Sequence, residues 1–311
     1  MKTYYETPNG CLYHGNCLEI MPTLADKSID LIVADPPYNI GKVVSWDKWK
    51  RQADYIEWLG SVFLECQRVL KDNGSFYWFH NDMEQIAEIM TWIKKHTMFV
   101  FKQFIVWNKR FSGARNKGFL DGFIEVDGLR NYQKMAEYCL FYTFQDDNYI
   151  REHYRGLLNK IGLKPNDFNK WMWGKGYCKN KSNIASHLFG YNQQVNPPAR
   201  EITCHLAEFF GEDSYKRVTF NNQKTHHSVW NYEIAEKAGH VTPKPVPLIE
   251  NIIKHSSTEG DTVLDNCAGS GTTAIACERL NRKWIACEIS EEYCKIIAKR
   301  IESERKQLKM F

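Results

Sequence analysis

An apolar run, Ile29 to Ala34, leads without a break into Asp35-Pro36-Pro37-Tyr38. The run has the length and composition of a buried strand, and two consecutive prolines cannot continue a strand interior. They fix a stiff, extended turn instead, because proline locks its own φ and restricts the residue before it. A buried strand of this kind points to an α/β sheet.

The rest of the N-terminal third fits that sheet. Cys11 to His14 reads as another strand. Tyr55 to Leu70 reads as an amphipathic helix, with Ile56, Leu59, Phe63, Cys66, Gln67 and Leu70 at helical spacing. Asp72-Asn73-Gly74 reads as a turn. Ser75 to Phe79 is expected as a strand, Met83 to Lys95 as a helix, Phe99 to Trp107 as a long strand and Glu137 to Phe144 as another. From Asp146 to Ala235 the alternation stops, and Asn, Gln, Lys and aromatic residues become frequent. It returns with a strand at Thr262 to Asp265, a helix at Thr272 to Leu280, a strand at Lys283 to Glu288 and a charged terminal helix at Glu291 to Lys309. Parallel strands joined by crossover helices imply an α/β, doubly wound, mostly parallel sheet. The division expected is 1–145, an inserted and mainly helical middle at 146–235, and 236–311.

Composition narrows the class. The chain has 311 residues, 43% apolar and 25% charged, as in soluble globular proteins. No stretch reaches the roughly 18 unbroken apolar residues of a membrane helix, and Met1 to Gly10 lacks a signal-peptide core, so a cytoplasmic location without membrane contact is expected. The ten cysteines include no Cys-x-x-Cys pair, and several fall inside apolar runs, so they read as reduced, buried residues and no metal site is expected. Net charge is +4, of which residues 151–235, with 12 Lys/Arg and 7 Asp/Glu, supply +5 and the remainder −1. A basic middle fits a surface that contacts phosphates, and it fits an ordinary solvated face equally well. Lys109 to Lys117 is basic, contains glycine and reads as an exposed loop.

Two features carry chemistry. In Asp35-Pro36-Pro37-Tyr38 a carboxylate precedes the rigid turn and an aromatic ring follows it. The first accepts hydrogen bonds from an amino group and the second stacks on a flat ring, a pairing suited to the exocyclic amine of a nucleobase. In Asp265-Asn266-Cys267-Ala268-Gly269-Ser270-Gly271-Thr272-Thr273 a strand passes through a glycine turn into a helix, where backbone can approach a ligand and the helix N-terminus favours a negative group. It is neither a phosphate loop, lacking Gly-Lys-Ser/Thr, nor Gly-x-Gly-x-x-Gly. Glu288 ends the next strand, where an acid can accept from ribose hydroxyls. A nucleoside-bearing ligand without pyrophosphate suits this set, and S-adenosylmethionine meets that description.

Together these motifs resemble the S-adenosylmethionine-dependent amino-group DNA methyltransferases, and within them the permuted β class of the N4/N6 methylase family. There the Asp-Pro-Pro-Tyr motif comes first, a target-recognition region next and the glycine motif last. His14-Gly15-Asn16-Cys17-Leu18 before Ile29-Asp30-Leu31-Ile32 resembles the family's N-terminal strand. His240-Val241-Thr242-Pro243-Lys244-Pro245 resembles a motif upstream of the cofactor turn, and Val263-Leu264-Asp265 with Ala268-Gly269-Ser270-Gly271-Thr272 resembles the turn itself. The chain departs from the family at Asn16, where an acid is usual, and at Asn266-Cys267, where Pro-Phe is frequent.

The resemblance implies a circularly permuted Rossmann-like methyltransferase sheet and methylation of a flipped base in double-stranded DNA. Asp35, Pro36, Pro37 and Tyr38 would be catalytic: Asp35 and the Pro36 carbonyl accept from the amine and Tyr38 stacks on the base. Asn16, Asp35, Thr242, Lys244, Asp265, Cys267, Ala268, Gly269, Ser270, Gly271, Thr272 and Glu288 would bind the cofactor, with Thr242, Lys244 and the turn amides at its amino-acid end. Asp at position 35 leans toward adenine N6, where Ser leans toward cytosine N4. Cytosine N4 methylation and a catalytically silent DNA-binding regulator remain as alternatives. The resemblance also implies a possible homodimer and a cognate restriction endonuclease. Short helical patterns at Leu157 to Leu163, Ser182 to Leu188 and Ile202 to Phe210 weakly resemble a helix-turn-helix unit, which adds Ser182, Asn183, Ser186 and His187 to Lys109, Arg110, Arg115 and Lys117 as candidate DNA contacts.

Overall fold

The computed structural model describes residues 2–39, 49–112, 114, 135–144, 147–176, 208–210, 227–235 and 243–308. In chain order the first elements are β1 (Tyr5–Thr7), β2 (Gly10–His14), α1 (Cys17–Ile20), β3 (Ile29–Ala34), α2 (Gln52–Val69), β4 (Leu70–His80), α3 (Met83–His96), β5 (Val100–Asn108) and β6 (Ala136–Thr143). Then come α4 (Asp147–Lys160), α5 (Pro165–Gly174), β7 (Val229–Asn231), α6 (Val246–Ser256), β8 (Thr262–Asp265), α7 (Thr272–Arg279), β9 (Lys283–Glu288) and α8 (Glu291–Leu308). The strands form one sheet in the order β1-β2-β9-β8-β3-β4-β6-β5-β7. The pairs β2–β9, β9–β8, β8–β3, β3–β4 and β5–β7 are parallel, and β1–β2, β4–β6 and β5–β6 are antiparallel. The expected doubly wound, mostly parallel sheet is what the chain forms.

Alternating side chains explain why both faces are covered. From β3, Leu31 and Val33 enter one core while Ile32 and Ala34 enter the other; from β4, Tyr77 and Phe79 part from Phe76 and Trp78 in the same way. One core takes Leu248, Ile249, Ile252 and Ile253 of α6 with Ile275 of α7 and Ile297 and Ile301 of α8. The other takes Tyr55, Leu59, Val62, Phe63 and Cys66 of α2 with Ile86, Ile89 and Ile93 of α3. Truncating a ring such as Phe63, fully buried between Phe76 and Trp78, costs about 3–5 kcal/mol in such a core.

Three sequence expectations change. Asp72-Asn73-Gly74 is not a turn but an irregular stretch inside β4, which pairs Ile29 with Leu70 and Leu31 with Ser75. The ladder resumes on both sides of the bulge, and Lys71 Nζ donates to Asp30 at 2.6 Å across it. The helix α6 was hidden in the sequence by Pro243, Pro245 and Pro247; prolines at a helix start remove only N–H groups that would lack partners anyway. In the middle segment, expected to be mainly helical, α5 lies between the helical patterns singled out, and Val229–Asn231 returns to the sheet beside β5. There Trp171 packs against Phe168 and Phe209 at ring distances of 5.8 and 5.0 Å, as part of an aromatic cluster. Among the described residues no helix is long and apolar enough to cross a membrane.

Candidate active site

The parallel strands β2, β9, β8, β3 and β4 all end at one edge of the sheet, and so deliver Asn16, Glu288, Asp265, Asp35 and His80 to a common border. Strand β6 runs the other way and starts there with Ala136 and Glu137. The two motifs that are far apart in sequence hang from neighbouring strands, because Leu31 pairs with Val263 and Ile32 with Leu264. The border beyond the carboxyl ends of parallel strands is where open α/β sheets bind ligands.

The proline turn is held by side chains. Tyr38 is buried and its hydroxyl donates to Asp35 Oδ1 at 2.6 Å. Lys244 Nζ donates to Asp35 Oδ2 at 2.6 Å and to the Tyr38 hydroxyl at 3.1 Å, and lies 3.2 Å from Glu137 Oε2. The other Glu137 oxygen pairs with Lys109. Two carboxylates and two ammonium groups thus alternate through a buried space. Burial disfavours charge on Lys244, but Asp35 and Glu137 outweigh it and hold its pKa above the ordinary lysine value. Burial also opposes ionisation of Glu137, yet Lys244 and Lys109 hold its carboxyl at about 2. Burial, then the Asp35 and Glu137 charges, push the Tyr38 phenol up, so it stays a hydrogen-bond donor.

Beneath the turn, Tyr55 donates to the Pro37 carbonyl at 2.9 Å, and His80 Nε2 lies 3.0 Å from the same Tyr55 hydroxyl. The His80 ring lies 4.7 Å from the Tyr38 ring. Burial lowers the His80 pKa to about 4, which keeps the imidazole neutral.

The glycine turn is held mostly by backbone. Ala268 N–H donates to Cys287 O at 2.9 Å, Gly271 N–H to Ala268 O at 2.7 Å and Ile275 N–H to Gly271 O at 3.1 Å. Gly271 sits at φ +75° as the N-cap of α7, and a Cβ there would lie 2.8 Å from Ile297 Cγ2. Glu288 accepts from Gly269 N–H at 2.7 Å and from Ser290 N–H at 2.8 Å. Asp265 accepts from Cys267 N–H at 3.2 Å. Burial first, with Asp35 and Glu288 among the further causes, raises the Asp265 pKa to about 7; burial also raises that of Glu288. Ser270 and Thr272 hydroxyls lie 3.0 Å apart, and Thr272 donates to Lys244 O at 3.1 Å.

Most residues picked from the sequence meet at this edge, though not all with the contacts expected. Lys244 reaches Asp35, while only its carbonyl touches the glycine turn. Asn16 caps α1, accepting from Leu18 N–H at 3.1 Å. The Cys267 thiol is pushed up, first by the neighbouring Cys17 thiol of α1 and then by burial. Lys109 is drawn inward by Glu137, whereas Arg110 is exposed. Thr242, Arg115, Lys117, Ser182, Asn183, Ser186 and His187 lie outside the described residues. Glu137, His80 and Tyr55 were not foreseen. The first two had a signal: each is a polar residue at the site end of an apolar strand.

A ligand with cationic groups fits this edge. Asp35, Asp265 and Glu288 concentrate carboxylates around the turn, and the raised Asp265 pKa marks a charge that an incoming cation would relieve. Each Glu288 oxygen keeps a lone pair for a hydroxyl after taking its amide.

Known proteins place the chain. A DNA adenine methyltransferase of Escherichia coli K12, YhdJ, is 29% identical over 298 residues, covering 94% of this chain and 82% of its own. The fold is similar to that of PvuII DNA methyltransferase, a cytosine-N4-specific enzyme (TM-score 0.58, 17% identity, 98% of this chain and 94% of that one). It is also similar to that of a Thermus thermophilus protein solved in complex with S-adenosyl-L-methionine (TM-score 0.56, 18% identity, 94% and 93%). The DNA methylase family of N6/N4 type matches residues 29–299, from the strand before the proline turn into the last helix. The chain therefore belongs to the N4/N6 amino-group DNA methylases.

Proposed function

We propose that this DNA amino-methyltransferase methylates N6 of an adenine flipped out of duplex DNA. The carrying observation is the adjacency of two turns: Asp35-Pro36-Pro37-Tyr38 after β3 and Asp265 to Gly271 after the neighbouring β8. S-adenosylmethionine supplies the electrophilic methyl group when bound. Asp265, Glu288 and Asn16 bind it, with the turn from Cys267 to Thr272 packed between them, and Thr242, outside the described residues, is assigned to its amino-acid end.

The chain's own residues do the positioning. Asp35 and the Pro36 carbonyl accept hydrogen bonds from the target amine, which aims the nitrogen lone pair and stabilises positive charge as it develops. In the free protein the Lys244 ammonium occupies Asp35. The target amine takes that place, and Glu137 keeps Lys244 paired. Tyr38 lies against the base, with its hydroxyl oriented by Asp35. Asp rather than Ser at position 35 supports adenine over cytosine. DNA-sequence recognition falls to the segment 146–235.

The decisive measurement is the modified nucleoside. DNA incubated with the protein and S-adenosylmethionine, then digested and analysed by mass, should contain N6-methyladenine. N4-methylcytosine instead would overturn the adenine reading. Asp35→Ala should slow transfer by at least about 100-fold while the cofactor still binds. Transfer at the wild-type rate in that variant would remove Asp35 from the mechanism.

A further inference from the structure

Pro36 and Pro37 carry no N–H group, so the centre of the turn cannot brace itself with backbone donors of its own. Its rotation has to be set from outside. The hydrogen-bond directions below it are fixed by elimination. The Tyr55 hydroxyl has one hydrogen, which goes to the Pro37 carbonyl at 2.9 Å. Toward His80 Nε2, 3.0 Å away, Tyr55 must then accept, so Nε2 carries the imidazole hydrogen. His80 Nδ1 accepts from the Asp82 N–H at 3.1 Å, which requires that nitrogen to be bare. Both contacts demand the same neutral tautomer. The line runs one way, from the backbone N–H at the start of α3 through His80 and Tyr55 to the Pro37 carbonyl, and each bond polarises the next. At its midpoint the His80 ring also supports the Tyr38 ring, with 4.7 Å between centroids.

We infer that His80 and Tyr55 are positioning residues for methyl transfer: they hold the Pro37 carbonyl and the Tyr38 ring, and so set the angle at which Asp35 and the Pro36 carbonyl meet the target amine. The inference rests on the amino-group reading of this site. Neither residue touches the reacting atoms. Their removal should therefore lower the rate of the chemical step and leave both ligands bound.

The test is single-turnover methylation, with cofactor and DNA dissociation constants and thermal midpoint measured on the same variants. Tyr55→Phe removes one oxygen from a ring that otherwise stays packed. It should slow transfer about 10-fold, with both dissociation constants within about two-fold of wild type, since a 1 Å misplacement alone can cost about 100-fold. His80→Leu should lose a similar factor, His80→Gln, which keeps an N–H for Tyr55, should regain most of it, and Tyr55→Phe with His80→Leu should lose no more than either alone. Wild-type transfer in Tyr55→Phe, or a loss confined to ligand affinity, would overturn the inference. So would equal loss in His80→Gln and His80→Leu. Nitrogen-15 spectra of histidine-labelled full-length protein give a readout independent of turnover. They should show His80 neutral with hydrogen on Nε2 at pH 6, and a cationic or Nδ1–H ring there would overturn the relay. Wild-type protein that shows this tautomer but methylates no DNA amine would refute the proposed function while leaving the relay standing.

Discussion

The two turns at the sheet edge do related jobs with opposite constructions. The glycine turn is rigid because its own backbone closes on itself and on β9. The proline turn has no backbone donors to spend at Pro36 and Pro37, and it is stiffened by ring geometry and held by Tyr55, Tyr38 and Lys244. The first is built to hold its backbone at a fixed place. The second is built so that single side-chain atoms set its angle, which suits the proposed entry of an amine in place of a lysine. Backbone changes should therefore be severe at one turn and mild at the other, and side-chain changes the reverse.

The largest effect should come from Gly271→Val. The residue sits at φ +75°, which a β-branched side chain resists, and its Cβ would fall within 2.8 Å of Ile297. Strain and overpacking together should cost about 2–5 kcal/mol in denaturant unfolding, with cofactor affinity lost alongside. Pro37→Ala, by contrast, relaxes the chain but keeps the carbonyl that Tyr55 holds. A loss of about 1 kcal/mol is expected there. Equal losses at the two positions would break the comparison.

A pH-dependent effect separates the turns by charge. Asp265 has a folded pKa of about 7, above its unfolded value, so the folded state binds the extra proton between pH ~4 and 7. Its contribution to stability is present below pH ~4 and is lost as pH rises through 7, by on the order of 4 kcal/mol. His80, with a folded pKa of about 4, runs the other way: its stability is present above pH ~6.5 and lost as pH falls through 4. The two slopes oppose each other in wild type. In Asp265→Asn the first is gone, so unfolding free energy measured from pH 4.5 to 7 should climb more steeply with pH than in wild type. Parallel curves would mean that Asp265 is ionised throughout.

The legible parts of the chain were those with local signatures. Ile29 to Ala34 announced a buried strand by composition, and the two turns announced themselves by residues that do only a few things. What stayed hidden depends on partners far along the chain. Nothing near Lys244 signals that its ammonium would reach Asp35, 209 positions away. Tyr55 reads as one more apolar position of a helix, because its hydroxyl matters only once Pro37 is packed above it. Asp72-Asn73-Gly74 looks like a turn between elements, and only the pairing of Leu70 and Ser75 with the neighbouring strand makes it a bulge within β4. Local chemistry specified the elements, and tertiary contact decided which polar tips met.

The smallest expected effect falls at Asn16, where a cap and a ligand contact share one oxygen. Asn16 Oδ1 accepts from Leu18 N–H at 3.1 Å and so satisfies a donor at the start of α1. A carbonyl oxygen has a second lone pair, which the proposed cofactor amine can use. Asn16→Ala should cost about 1 kcal/mol as a lost cap, and cofactor affinity should fall about 3–10-fold as a lost neutral hydrogen bond. Asn16→Asp should restore both, because a carboxylate caps equally well and accepts the same amine. Calorimetric titration beside thermal unfolding distinguishes the outcomes. If Asn16→Ala loses stability but keeps full affinity, the oxygen serves the helix alone, and the adenine end of the cofactor is held elsewhere along the edge between β2 and β9.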